Sequence, residues 1–261
     1  MPRKSTLAVV IPSRSQSNQL RFLSRAIASV ETQSVAKDFD IRVIVAIDRG
    51  QWVNEIKALS VSVKQIESCG SGQAAALNAG LRDVHEEYLA FLEDDDEWQP
   101  TFLANAMLAL QHGDFVSSTQ FEVDENGKLL RINDFATPSG WLMPARVFRE
   151  IGFFNEGYRF HIDNEWLGRL NESETARVHL VEATAPSDSR YAAQVRPWLA
   201  QILRSSQGRC RLARHGSPFP LVKRLVHSHS GMFSIGHDPE SQAISRAEQL
   251  RLVERFACVP W

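Results

Sequence analysis

The sequence predicts an α/β domain built on a largely parallel central sheet with helices on both faces, and three features carry that reading. Short apolar runs alternate with helically periodic segments in the order βαβαβαβα over the first 110 residues. The runs LAVVI, IRVIVAI and YLAFL are continuously apolar, as strands covered on both faces are. Polar and charged residues gather directly after these runs, where open α/β sheets hold their ligands.

Leu7–Ile11 reads as a first strand, expected to stop at Pro12. Leu20, Leu23, Ile27 and Val30 then recur at helical spacing. Ile41–Ile47 is a second strand ending at Asp48-Arg49-Gly50, and VSVKQIE is a third. The run GQAAALNAGLRDV reads as a helix entered through Gly70 and Gly72. Tyr88–Leu92 is the next strand, and PTFLANAMLAL a helix with Pro100 near its first turn. Asp124-Glu125-Asn126-Gly127 signals a hairpin turn. In HIDNEWLGRL, Trp166, Leu167 and Leu170 have helical spacing and put Asp163 or Asn164 at a helix start, where Asp also serves as an N-cap. After Asp238, the residues Ala243, Ala247, Leu250 and Val253 suggest a closing amphipathic helix. The expected division is a domain over 1–185 and a C-terminal helical extension over 186–261, packed on it and carrying a basic loop and a His-containing loop.

Composition narrows the classes. With 261 residues and 43% hydrophobic content the chain can bury a full core, and a formal net charge of -2 argues against a general nucleic-acid binder. Three scattered cysteines, Cys69, Cys210 and Cys258, fit reduced thiols in a cytoplasmic protein better than a disulfide framework or a zinc site. The basic residues before the first apolar run do not make a signal peptide, because Pro12 interrupts it too early. No stretch is long and apolar enough to span a bilayer. The sequence says nothing about oligomeric state.

The acidic run Glu93-Asp94-Asp95-Asp96-Glu97 follows YLAFL at a strand end. Five carboxylates there repel one another unless a cation sits among them, and Mg²⁺ or Mn²⁺, which take oxygen ligands and accompany phosphates, would answer the need. The bland alternative is a solvated acidic loop.

The ordered set Ile11-Pro12-Ser13, Ser29-Val30 with Gln33, Asp48, Asn78-Ala79-Gly80 and Glu93 to Pro100 resembles the family 2 glycosyltransferases, which have the nucleotide-sugar-binding GT-A fold. The resemblance continues through SGWLMPARVFREIGFFNEG and DNEWLGRL and covers residues 7 to 182. Two departures stand out: one acid, Asp48, follows the second strand where the family has a pair, and Glu93 opens the metal motif where the family has Asp. The resemblance implies a metal-dependent, inverting enzyme that moves a sugar from a nucleoside-diphosphate donor, most commonly a UDP-sugar, to a saccharide, lipid-linked or small-molecule acceptor. It implies donor contacts from Pro12, Ser13, Arg14, Asp48, Gln73, Asn78 and Glu93 or Asp94, and a metal held by Asp95, with Asp163 as general base and Glu165 as its substitute if the register slips. His227 and His229 offer a further metal ligand from a late loop, His229 being preferred. Two rival readings are a dinucleotide-dependent oxidoreductase using Gly70-Ser71-Gly72 and a non-catalytic nucleotide-sugar-binding protein. The first places its glycines in the third β-α unit instead of the first, and leaves Asp94 to Glu97 beside a pyrophosphate without a purpose.

Overall fold

The computed structural model describes residues 3–14, 20–47, 56, 63–183, 210–228 and 230–260. Its strands are β1 (Ser5–Ser13), β2 (Phe39–Ile47), β3 (Val63–Glu67), β4 (Tyr88–Phe91), β5 (Glu97–Trp98), β6 (Phe115–Ser118), β7 (Gln120–Val123), β8 (Leu129–Asn133), β9 (Leu142–Pro144), β10 (Arg177–Glu182), β11 (Cys210–His215) and β12 (Val222–Leu225). Its α-helices are α1 (Leu20–Glu31), α2 (Gln73–Leu81), α3 (Phe102–Ala109), α4 (Ala145–Ile151), α5 (Ile162–Glu172), α6 (Gly231–His237) and α7 (Pro239–Phe256). An eight-stranded sheet has the order β11-β10-β6-β9-β4-β1-β2-β3, and a four-stranded sheet the order β5-β12-β7-β8. The large sheet is parallel except for β9, which runs antiparallel to both β4 and β6.

The continuously apolar strands serve two cores. Ala8 and Val10 of β1, with Ile44 and Ala46 of β2, face a layer that includes Leu77, Phe148, Trp166 and Leu170 of α2, α4 and α5. Leu7, Val9 and Ile11, with Val43, Val45 and Ile47, face the opposite layer, which includes Leu23, Ile27, Phe102 and Leu103 of α1 and α3. Side-chain alternation along a strand thus sends one apolar run to two cores. Gly80 lets α2 lie close on the sheet: a Cβ there would come within 3.0 Å of Val10 Cγ1 and 3.1 Å of Ala46 Cβ.

Three differences from the sequence reading have physical reasons. First, β1 continues through Pro12, which is paired with Ala46 of β2 but lies beyond the last β4 pair at Val10 and Phe91, where a missing N–H interrupts no ladder bond on that side. Second, β9 is an antiparallel insertion into the parallel sheet, formed from only three residues. Third, the four-stranded sheet joins strands distant in sequence, a pairing that local periodicity does not carry. Residues beyond 185 contribute a strand to each sheet, β11 beside β10 and β12 between β5 and β7. The hairpin turn falls at Asp124–Gly127 between β7 and β8, and the closing helix is α7, capped by the Asp238 carboxylate accepting from Ser241 N. All three cysteines are free thiols, and no helix of the described residues is long and apolar enough to cross a membrane.

Candidate active site

The strand ends of β1 and β4 open onto a cleft, and the acidic run divides its charges among different partners there. Glu93 Oε1 accepts from Gln73 Nε2 at 3.1 Å. Asp94 Oδ2 accepts from Ser13 Oγ at 2.6 Å. Asp95 Oδ2 lies 2.8 Å from His227 Nε2. Asp96, 1% exposed, accepts from Ser139 Oγ at 2.6 Å and from Leu225 N at 3.2 Å. Glu97 turns to the outer side, against Arg25 and Lys223. Five carboxylates can therefore follow one strand because five separate segments of chain come to meet them.

The electrostatics match this crowding. Burial, reinforced by the charge of Asp95, raises the Asp94 carboxyl to about 7. Burial also holds Glu93 and Asp96 above the usual carboxylate range. Arg224 is the internal counter-cation: burial disfavours its charge, but Glu93, Asp96, Glu122 and Asp95 outweigh that and raise its pKa. Its Nη1 lies 3.5 Å from Glu122 Oε1. The His227 imidazole is likewise raised by its hydrogen bond to Asp95.

A cavity of about 320 Å³ is lined by Arg14, Gln73, Glu93, Asp95, Asp163 and Arg224 among others. A smaller one of about 100 Å³, sharing Arg14, Gln73, Glu93 and Asp95, adds Pro12, Ser13 and Asp94. Asp163 sits in the first turn of α5, its Oδ1 accepting from Asn164 N at 2.9 Å, and burial raises its carboxyl above the ordinary range. The N-cap position is held by His161, so Asp163 is not the cap.

Two expected residues stand elsewhere. Asn78 is buried, with its amide giving hydrogen bonds to Phe154 O and Glu156 Oε1 and accepting from Phe154 N, so it fastens the loop after α4 and does not line either cavity. Glu165 is bound to Arg169, whose guanidinium also reaches Ile151 O and Phe153 O, and it too lies outside the cavity linings. A long side chain two residues after Asp163 points to another face of the helix. Asp48 and His229 lie outside the described residues, as does most of the arginine-rich segment. His227, the alternative to His229, is in contact with the acidic run.

Arg224, Ser139 and Asp96 are the site residues that the motifs did not single out. The signal for Arg224 lies in the pair Lys223-Arg224, set between Leu221-Val222 and Leu225-Val226, since a cation drawn into so apolar a strand needs carboxylate partners.

Oxygen atoms of Glu93, Asp95 and Asp96 can come within 4.8 Å of one another. That oxygen-rich set, crowded enough that Glu93 and Asp96 stand above the usual carboxylate range even beside Arg224, fits a hard divalent cation. Asp96 already uses both oxygens on protein donors, which leaves Asp95 and Glu93 as the residues with capacity to hold it.

A mostly parallel α/β sheet with acids gathered beyond its strand ends places the protein among enzymes of GT-A type. The model of glycosyl transferase family 2 matches residues 8–169, well over half of the chain, and the chain belongs to that family. It is similar to an uncharacterised glycosyltransferase of Nostoc sp., 33% identical over 106 residues, which make up 38% of this chain and 32% of the relative. It is also similar to the uncharacterised glycosyltransferase YwdF of Bacillus subtilis, 26% identical over 188 residues, 63% of this chain and 68% of the relative. The matched region spans about a third of the length of the Nostoc protein. Among solved structures, S. aureus TarS superimposes with a TM-score of 0.54 at 11% identity, covering 96% of this chain and 43% of that one. TarS 1-349 in complex with UDP-GlcNAc gives 0.50 at 13% identity, covering 96% and 81%. At these identities the likeness speaks to the fold alone.

Proposed function

We propose that the protein transfers a sugar, with inversion, from a nucleoside-diphosphate donor to an acceptor hydroxyl, using a divalent cation. The observation that carries this reading is that one cavity gathers the strand-end acids and Asp163, which lie in separate segments of the chain. The pocket of Pro12, Ser13, Arg14 and Gln73 beside Glu93 and Asp94 would take the nucleotide. TarS, of the same fold, binds UDP and UDP-GlcNAc, which supports a uridine nucleotide as the first donor to test. A cation held by Asp95, with Glu93 and His227 beside it, would supply positive charge opposite the departing diphosphate.

The remaining chemistry belongs to the chain. In the transfer the bond between the anomeric carbon and the diphosphate oxygen breaks, and its electron pair leaves with the diphosphate. A new bond forms from the acceptor oxygen to the anomeric carbon, and the acceptor proton passes to an Asp163 oxygen. The burial that raises Asp163 makes it a stronger base than a solvated aspartate. Arg224, half-buried and lining the same cavity, offsets the charge of Glu93, Asp95 and Asp96.

Thermal shift with nucleotides is the direct test. UDP with Mn²⁺ should raise the melting temperature, UDP alone should raise it little, and Asp95→Asn should abolish the metal-dependent increment. Equal stabilisation by NAD without metal would return the protein to the oxidoreductase reading, and transfer by Asp95→Asn at the wild-type rate would remove the cation from the mechanism.

A further inference from the structure

Helix α5 begins without a side-chain cap of its own, because His161 at the N-cap position accepts nothing from the first turn. Its entry is held from outside. Glu248 of α7, 2% exposed, receives three consecutive backbone N–H groups: Arg159 N at 2.6 Å on Oε1, and Phe160 N at 2.9 Å and His161 N at 3.0 Å on Oε2. Three convergent amides and the positive end of α5 give this buried carboxylate the partners that burial demands.

The same helix fixes the next residues. Ser245, one turn before Glu248, lies 2.8 Å through Oγ from His161 Nε2, and His161 Nδ1 lies 2.8 Å from Asn164 Oδ1. Asn164 Nδ2 donates to Pro260 O at 2.7 Å. Asp163 is thus bracketed by two residues, His161 and Asn164, that are both tied to the C-terminal segment. Further along, a Cβ on Gly168 would meet the Phe256 ring at 2.5 Å, so α5 and α7 are in contact there as well.

We infer that Glu248, with Ser245, is a positioning residue for the reaction: it sets the backbone that carries Asp163 and thereby aims its carboxylate into the cleft. This rests on Asp163 being the base. The amides of residues 159–161 need an acceptor for folding in any case, but they end two residues before Asp163, and base catalysis tolerates little misplacement there, since an error of about 1 Å can cost a hundredfold in rate. Glu248 lies well beyond residue 169, where the family match ends, so the device belongs to the C-terminal part of this chain.

The test combines backbone hydrogen exchange in the metal-free protein with turnover. Glu248→Gln keeps the size but removes the charge and turns an N–H₂ toward amides that need an acceptor. Exchange over residues 159–165 should quicken at least tenfold while residues 88–92 stay protected. With UDP-GlcNAc and Mn²⁺, and water as acceptor, kcat for UDP release should fall about tenfold to a hundredfold at unchanged donor KM. Ser245→Ala, which leaves the carboxylate in place, should give a smaller change of the same pattern, and it serves if Glu248→Gln does not fold. Unchanged exchange over 159–165 overturns the inference whatever the turnover. Loosened exchange with wild-type kcat overturns it too, leaving a clamp for folding. Asp163→Asn run in parallel separates the two readings: if it keeps wild-type kcat the base assignment fails, and if it is inactive while Glu248→Gln turns over normally only the positioning role fails.

Discussion

The two carboxylate centres of the cleft are held by opposite strategies. The strand-end acids Glu93 to Asp96 draw on Gln73, Ser13, Ser139, Leu225 N, His227 and Arg224, partners from many segments. Asp163 has only local backbone hydrogen bonds among the described residues, from Asn164 N and its own N–H, and its backbone is gripped by one carboxylate from α7. The first centre is electrostatically crowded and distributed, so losing one partner should weaken it by degrees. The second is simple and dependent, and its failures should be abrupt.

The largest expected effect tests that abruptness. Asp163→Asn still accepts the Asn164 N–H, so melting temperature and donor affinity should hardly move, whereas transfer should fall by roughly a hundredfold to ten-thousandfold. An active variant would break the comparison, leaving Asp163 as a polar lining residue. Next is Arg224→Met, which removes the charge that Glu93, Asp95 and Asp96 share, while Glu122 keeps Arg131. The metal-free protein should lose about 3 kcal/mol in denaturant titration, and Mn²⁺ should restore part of that loss. No change in stability would mean that the acids are compensated elsewhere. His227→Gln removes one partner of several, so metal-supported donor affinity should drop about tenfold by titration calorimetry with little effect on melting.

The smallest effect is a control outside both centres. His215, 2% exposed at the end of β11, has its pKa lowered by burial to about 4. Its folded pKa lies below the unfolded value, so the folded state binds fewer protons between the two. Stability should therefore fall as pH drops from about 6.5 to about 4, the window between the unfolded and folded values, and not further below it. His215→Asn should flatten that acid limb in melting curves, and the acid sensitivity left belongs to carboxylates held low outside the cleft, Asp83 and Glu86 beside Arg42.

Much of the fold was legible because each apolar run had to satisfy two cores at once, which fixed the parallel sheet and placed polar strand ends on one edge. The acidic run was legible for the same reason, since strand ends face the ligand, whereas Asp163 reads from the residues alone as a helix cap and is a candidate base only through the resemblance to the family. What the sequence concealed was pairing between distant segments. Nothing local in GQAAALNAGL distinguishes an amide that touches a donor from one that fastens Phe154, and Asn78 does the second. Arg224 meets the acids only through the pairing of β12 with β5 and β7, and Glu248 meets its three amide partners across 87 to 89 residues of sequence.

The place of β12 has a consequence for how the molecule is made. It lies between β5 and β7, strands translated about a hundred residues earlier, and it brings Leu225 N, Arg224 and His227 to acids that have been waiting since residue 93. During synthesis every family motif leaves the ribosome before the charges that make it tolerable to bury. A nascent chain that stops near residue 185 therefore carries an open seam between β5 and β7 and a self-repelling cluster beside it. Such unpaired strand edges are what chaperones and aggregation compete for, and they close only when the last part of the chain arrives.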